Sequence, residues 1–352
     1  MSDQPAKGEV KAELERSAEL VRAQGRRTLA IRTGSLAGGL IVVLVVINWF
    51  SHGTFLTPDN LTNVLRQITY NAVLAVGQTF VIITAGIDLS VGSLIELTGV
   101  VMAQFANAMP FDGFPLIVAT LLVGLAVGCS AGLINALPVV RLNLPPFITT
   151  LAMMLMARGL AFKLSHGRPI GLNSSAFNNI GIGFLFEGPL HRIGLPGIPI
   201  AVVWMAILVV VFAIVLTRTP FGRYVFAIGG NEEAARLAGI NVRLVKTMVY
   251  VISGGCAAIA GLLLMARFAS GSPNTGIGSE LQSIAAVVVG GTSLMGGRGS
   301  VVGTFFGALL IGLLNNMMNL LNIESYTQDI VLGAVILVAV IVDELRKRYL
   351  SR

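Results

Sequence analysis

Charge is what this chain has least of. Only 12% of its 352 residues are Asp, Glu, Lys or Arg, against about 25% in an ordinary soluble domain. That deficit, with 55% hydrophobic residues and a mean hydropathy of +0.83, excludes a water-soluble globular protein and implies an integral membrane one. Cysteine is equally sparse. Cys129 and Cys256 lie far apart in apolar runs with no His nearby. They give neither a disulfide framework nor a metal site, and read as small packing residues. The three histidines, His52, His166 and His191, are scattered through expected loops and are assigned no chemistry. A GxxxxGK(S/T) phosphate-binding loop is missing altogether, so the chain binds no nucleotide by that device.

What is present is a series of apolar runs near the length that crosses a bilayer, about 20 residues as a helix. Ten are expected: 34–50, 62–84, 89–108, 115–139, 147–164, 198–216, 246–269, 281–295, 300–321 and 327–343. The expected fold is therefore all-α, a polytopic membrane protein of about ten transmembrane helices. The run at 281–295 is short and need not cross fully. The positions of the bases test the count. With the N-terminus in the cytoplasm, Lys7, Lys11, Arg16, Arg22, Arg26, Arg27 and Arg32 fall inside. So do Arg218, Arg223, Arg236, Arg243 and Lys246, then Arg346, Lys347, Arg348 and Arg352, and finally Arg141 and Arg298. These are 18 of the 24 Lys and Arg, as the positive-inside rule requires. An odd number of spans would put one strongly basic end outside. The basic excess thus reports membrane sidedness and not nucleic-acid binding.

Three regions follow. Residues 1–33 form a cytoplasmic tail in which Val10, Leu14, Ala18 and Val21 share a face, either an amphipathic helix on the membrane surface or a frayed, solvated segment. The first apolar run comes after this charged stretch and lacks a convincing cleavage site, so it reads as a retained anchor and not as a signal peptide. Residues 34–345 form the transmembrane domain, including a cytoplasmic loop at 217–246, and 346–352 a basic cytoplasmic C-terminus. The longest outer loop, 165–197, is rich in Gly, Asn and Pro and carries two Arg. It is either a docking surface for a partner or a plain connection.

Glycines mark close helix contacts. Gly124, Gly128 and Gly132 stand four apart in the fourth run, as do Gly299, Gly303 and Gly307 at the start of the ninth, and such spacing lets helix backbones approach in lipid. If runs two to five and seven to ten are related halves, these triplets correspond and the repeat is inverted. Local packing without a repeat accounts for them equally well.

Two acids survive where almost every other charge is gone. Between Asp59 and Asp112 the only acids are Asp88 and Glu96, and the only base is Arg66. A charge at the bilayer centre costs about 2.5–3.5 kcal/mol on insertion scales. In TAGIDLSVGS, residues 84–93, Asp88 follows Gly86 and precedes renewed helix through Ser90 and Gly92. It is placed to cap the third span by accepting amide hydrogen bonds from around Ser90 or Val91. The functional reading is that its carboxylate faces a water-filled path and meets solute hydroxyls. Both can hold, because broken helices in transporters line the site. Glu96 lies eight residues on, about 80° around an ideal helix, and either faces a path or points outward and snorkels or is protonated. Asn71, Gln78, Gln104, Asn135 and Asn315 are further polar candidates for a path, each equally readable as an interhelical hydrogen bond.

The cytoplasmic loop TRTPFGRYVFAIGGNEEAARLAGINVRLVK, residues 217–246, is the most informative soluble segment. Asn231 is a good N-cap, Glu232 and Glu233 suit the first turn of a helix dipole, and Gly239 sits where glycine ends a helix. A helix of about two turns, 232–238, is expected. So short a helix is not stable alone in water and needs a surface to dock against.

Glu233 to Gly239, EAA followed by three residues and Gly, resembles the coupling-loop motif of permease subunits of ABC importers. AVGQTFVIITAGIDLSVGS (75–93), PFITTLAMMLMARG (146–159), FAIGGNEEAARLAGINV (226–242), SIAAVVVGGTSLMGGRGSVVGT (283–304) and NNMMNLL (315–321) are similar, in order, to blocks of the ribose-type sugar permeases. These belong to the branched-chain amino acid and ribose permease superfamily. The resemblance covers residues 55–343. It implies a type II-like ABC importer permease in the bacterial inner membrane, with a second permease subunit beside it, a copy or a homologue. ABC ATPase subunits beneath would bind the ATP, so the chain itself is no enzyme and holds no cofactor. A periplasmic sugar-binding protein would deliver a ribose-like monosaccharide. Carried over residue by residue, Asn231, Glu232, Glu233, Ala234, Ala235, Arg236 and Gly239 become the coupling surface. Gln282, where the family often has an acid, Met317, where it often has Gly, and Glu96, where it more often has a small residue, depart from the pattern. A polyol, nucleoside or signalling furanose therefore stays open as cargo. A proton-coupled secondary transporter and a non-transporting scaffold are the rival classes.

Overall fold

The computed structural model describes residues 48–49, 51, 53–191 and 197–350. The expected tail at 1–33 and all but residues 48 and 49 of the expected first span lie outside them. The chain divides into Met1–Phe55 and Leu56–Arg352. In the first unit the Phe55 amide donates to Ser51 Oγ at 3.1 Å; the second carries everything that follows.

Helix α1, Pro58–Ile83, opens on a proline in its first turn, where a missing N–H costs no bond. A non-helical stretch, residues 84–90, separates it from α2, Val91–Ala108. Then come α3, Phe114–Arg141, and α4, Pro146–Ser165. The outer loop expected at 165–197 carries small elements: β1, Ile170–Gly171, a 3-10 turn at Ser175–Phe177, α5, Asn178–Gly181, β2, Phe184–Leu185, and α6, Glu187–His191. β3, Ile198–Pro199, pairs antiparallel with β2 and leads into α7, Ile200–Arg218.

Three helices then follow in succession, α8, Pro220–Gly230, α9, Glu232–Leu237, and α10, Val242–Phe268. β4, Ser270–Gly271, pairs antiparallel with β1. The chain closes with α11, Ser279–Val289, α12, Val301–Leu320, and α13, Ser325–Leu350. The protein is mostly helical and multi-pass, and α2, α3, α4, α7, α10 and α12 are each long and apolar enough to cross a bilayer.

Two expectations are corrected. The run at 281–295 yields a helix only to Val289. Gly291, Gly296 and Gly297 take positive φ, and the chain turns away. Eleven residues of helix span about 16 Å, half of a hydrocarbon core of about 30 Å. The loop at 217–246 holds two helices where one was expected. The unexpected one, α8, has a cue in the sequence: Thr219 caps it by accepting from the Gly222 amide at 3.3 Å, and Pro220 is its first residue.

Helix α10 packs against α1, α2 and α3, α11 against α1, α12 and α13, and α12 also against α1. The glycine triplets explain two of these contacts. A methyl on Gly128 would overlap the Gly254 carbonyl of α10, and one on Gly132 the Tyr250 carbonyl. On α12, a methyl on Gly303 would overlap the Gly290 carbonyl, and one on Gly307 the Ala286 carbonyl of α11. The first glycine of each triplet meets side chains instead: Gly124 meets Met102, and Gly299 meets Ile83 and Thr292.

Candidate functional site

The break between α1 and α2 is held by Asp88. Its Oδ1 accepts from the Ser90 amide at 3.0 Å and the Ser90 hydroxyl at 2.6 Å, and its Oδ2 from the Ser253 hydroxyl at 2.8 Å. Asn135 Nδ2 donates to Ser90 Oγ at 2.9 Å, so α3, the break and α10 are joined through one carboxylate. Asp88, Ser90 and Ser253 are fully buried. The expected bond from the Ser90 amide is there, but it closes a turn ahead of α2: the N-cap position is Ser90, whose own side chain makes no capping bond. The partner on α10 sits 165 positions away and has no signature in the sequence. Two glycines let other groups crowd the break: a methyl on Gly86 would press on the Tyr250 hydroxyl, and one on Gly92 would overlap the Glu280 carboxylate and the Gly276 carbonyl.

Glu96 neither snorkels nor stands alone. It is fully buried, and its Oε2 accepts from Arg158 Nε of α4 at 3.2 Å. Glu280, the second residue of α11, comes close enough to act on it electrostatically. Arg158 and Glu280 were not singled out in the sequence, where 62 and 184 positions separate them from Glu96.

The remaining polar candidates do not converge on one chamber. Gln104 is exposed and donates to the Leu164 carbonyl at 2.7 Å, an interhelical bond between α2 and α4. Asn71 and Gln78 are buried within α1, and neither Asn71 Oδ1 nor either amide atom of Gln78 has a partner among the described residues. Asn315 lines a polar cavity of about 200 Å³ with Gln67, Tyr70, Gln282, Gln328 and Asp329, between α1, α11, α12 and α13. Gln282 thus joins Asn315, while Gln67 and Tyr70 are additions that only the fold supplies.

At one end of the bundle, α9 is built as the sequence indicates. Asn231 Oδ1 accepts from the Ala234 amide at 2.9 Å, and Gly239 takes φ +83° just past the helix end, a conformation that costs glycine little. Glu232 pairs with Lys246 of α10 and with Arg236 at 3.3 Å, and Glu233 also pairs with Arg236 at 3.3 Å. The expected surface divides here. Ala235 is buried in a core cluster with Ile83 of α1, Val225 and Ile228 of α8, and Val245 and Val249 of α10. It anchors α9 and does not face outward. Asn231, Glu233, Ala234 and Arg236 are exposed, and so is Leu237, at 82%, a residue the motif did not flag. A cavity of about 310 Å³ lies beside them, lined by Asn143, Glu232, Arg236, Asn241, Arg243 and Lys246 among others.

Apolar helices interrupted around buried polar groups, with a small capped helix held out at one end, make a membrane subunit of a transport system. The family described as branched-chain amino acid transport system, permease component, matches residues 60–340, and the chain belongs to it. It is a permease and not an enzyme in its own right. The chain is 44% identical to the ribose import permease protein RbsC of Haemophilus influenzae, over 86% of this chain and 90% of that one. RbsC of Bacillus subtilis is 42% identical over 87% and 90% of the two chains. The xylose transport system permease protein XylH of Escherichia coli is 36% identical over 92% and 94%. No solved structure matches the chain.

Proposed function

We propose that this chain is the membrane subunit of a binding-protein-dependent, ATP-driven importer that carries a ribose-like monosaccharide across the bacterial inner membrane. The observation that carries the reading is α9. Six residues of helix do not persist alone in water. Here they are capped by Asn231, anchored through Ala235 and tied by Glu232 to Lys246, while Glu233 and Leu237 are left outward. A large exposed apolar residue flanked by charge suits an anchor for a partner protein. That partner is the ABC ATPase, which supplies the ATP hydrolysis. The core cluster joining Ala235 to Ile83 gives the route by which its motion reaches the break at Asp88. A periplasmic binding protein delivers the sugar to the opposite face, and a second permease subunit completes the pathway. The names of the relatives, ribose and xylose permeases, support the cargo class.

The same reading takes ten spans with both termini cytoplasmic, and runs two to five and seven to ten as inverted halves. The helix pairings support the halves. α3 lies on α10 as α12 lies on α1, α2 on α10 as α11 on α1, and α2 on α4 as α11 on α13. Both triplets meet side chains at the first glycine and backbone carbonyls at the other two.

Glu233→Lys tests the function. In the complete transporter it is expected to leave the permease in the membrane at normal level while sugar uptake and sugar-stimulated ATP hydrolysis fall at least tenfold. Full uptake by this variant would return the chain to the scaffold or secondary-transporter classes.

A further inference from the structure

We propose that Glu96, Arg158 and Glu280 form a contact site for the hydroxyl groups of the passing sugar, at the junction of α2, α4 and α11. This inference rests on the importer reading. The three side chains come from separate segments, and two glycines bring those segments together. Gly276, in the non-helical stretch before α11, lies against the Glu96 side chain, while Glu280 Oε2 lies against Gly92. The cluster therefore sits where the irregular backbone of 272–278 is pressed onto α2.

Its bonding is incomplete in a definite way. Glu96 Oε1, Glu280 Oε2, Arg158 Nη2 and Ser93 Oγ, one helical turn before Glu96, are all buried and without a hydrogen-bond partner among the described residues. Ser93 and Glu96 are fully buried, and Glu280 is 9% exposed. Native proteins leave few buried polar atoms unpaired, and each such atom points to something that satisfies it. Two carboxylate oxygens need donors and one guanidinium nitrogen needs an acceptor. A metal cation would serve the carboxylates and be repelled by Arg158. An anion would serve Arg158 and be repelled by two acids. A hydroxyl donates and accepts at once, so a neutral polyhydroxyl solute meets every requirement, as resting water does in its absence.

The cluster is closed in this conformation, and Arg158 is its one edge toward the outside. The Arg158 side chain is 27% exposed near the middle of α4, whose neighbouring residues Leu155, Met156 and Leu160 are apolar and exposed. An ionised group at that depth belongs beside a water-filled path or another protein and not in hydrocarbon. On α2 the charge of the site is carried by Glu96 alone.

The test uses the complete transporter, permease with its ATPase and binding protein, in proteoliposomes, with D-ribose as the probe. Sugar delivered per ATP hydrolysed is measured for wild type, E96Q, E280Q and the uncharged change Ser93→Val, along with melting temperature. The glutamine variants are expected to lower sugar per ATP at least tenfold, and Ser93→Val two- to fivefold, with ATP hydrolysis within twofold of wild type. A purely structural ion pair would lower both rates together, in step with melting temperature. That result, or an unchanged ratio in all three variants, overturns the site and leaves only water to fill it. The control separates the two readings: Glu233→Lys that moves ribose normally counts against the importer and this site with it, and wild type that moves no ribose counts against the ribose-like cargo on which this site rests. Normal wild-type transport with unaltered variants counts against the site alone.

Discussion

Asp88 shows what a single residue contributes, and how far the sequence discloses it. A carboxylate three positions before the first helical residue, Val91, favours a turn onto the amide two residues on, and the bond to the Ser90 amide follows from spacing alone. The bond to Ser253 does not, because it depends on how α10 packs against the break. The same limit hid Arg158 and Glu280 from a reading that had already isolated Glu96. Charge depletion marks which acids matter, while their partners emerge only from the fold. The energetics of Asp88 are testable. Asp88→Ala strips three hydrogen bonds and leaves the buried Ser90 amide and Ser253 hydroxyl unpaired, and an unsatisfied buried group costs about 1–3 kcal/mol. Asp88→Asn keeps one acceptor oxygen and offers Ser253 a donor in place of the other. Thermal melting in detergent should rank wild type first, Asn next and Ala well below. Equal melting of the Asn and Ala variants would show that the break is held by something other than this side chain.

At the scale of elements, the glycine triplets make a graded prediction. Gly128 and Gly132 face backbone carbonyls of α10, which cannot retreat without parting the helices, whereas Gly124 faces the flexible end of Met102. Alanine at 128 or 132 should therefore sharply reduce the yield of folded protein, while alanine at 124 should be tolerated, as size-exclusion profiles of the three variants would reveal. The spacing of these glycines was legible from the start. Which of them touch backbone was not, because that depends on helix crossing. Helix boundaries were legible to within a few residues for α2, α3, α4, α7 and α12, where apolar runs stop abruptly at Pro, Gly or charge. α11 resisted because its apolar character runs on past Val289 into TSLMGGRG, where Gly296 and Gly297 turn the chain. α8 was missed for the opposite reason: its residues look like loop, and only its cap and proline declare it. Its role in the element network is specific. A methyl on Gly229 would overlap the Ile83 carbonyl, and the Gly297 amide donates to that same oxygen at 2.9 Å. α8, the end of α1 and the glycine turn before α12 thus share one contact. Gly229→Val should uncouple ATP hydrolysis from uptake even with the α9 surface intact, since it wedges apart the segments that lie between that surface and the Asp88 break.

At the scale of the whole molecule, the question is whether α9 and the break at Asp88 belong to one mechanical unit. Ala235, Val225, Ile228 and Ile83 lie in a single packed cluster that also takes in Tyr250, whose hydroxyl adjoins Gly86 in the break. Close-packed interiors transmit displacement and do not absorb it, so a push on the outward side of α9 is carried through packed side chains as far as Tyr250 and Gly86, two residues from Asp88. The arrangement works only if α9 lies on the side where ATP is found. With ten spans, 18 of 24 bases fall on the side of α9, where the positive-inside rule expects the cytoplasm, and a cysteine tests that expectation directly. Ala238→Cys places an exposed thiol beside α9. A membrane-impermeant maleimide should label it in inside-out vesicles and not in intact cells, with wild type as the control for Cys129 and Cys256, which lie within α3 and α10. Adding the ATPase subunit should then slow labelling several-fold, because the docked partner covers Leu237 and its neighbours. Labelling from the outer face with the bundle still folded would place this helix beyond the reach of any nucleotide-driven partner, and the packed route from Ala235 to Asp88 would then be structure without a motor.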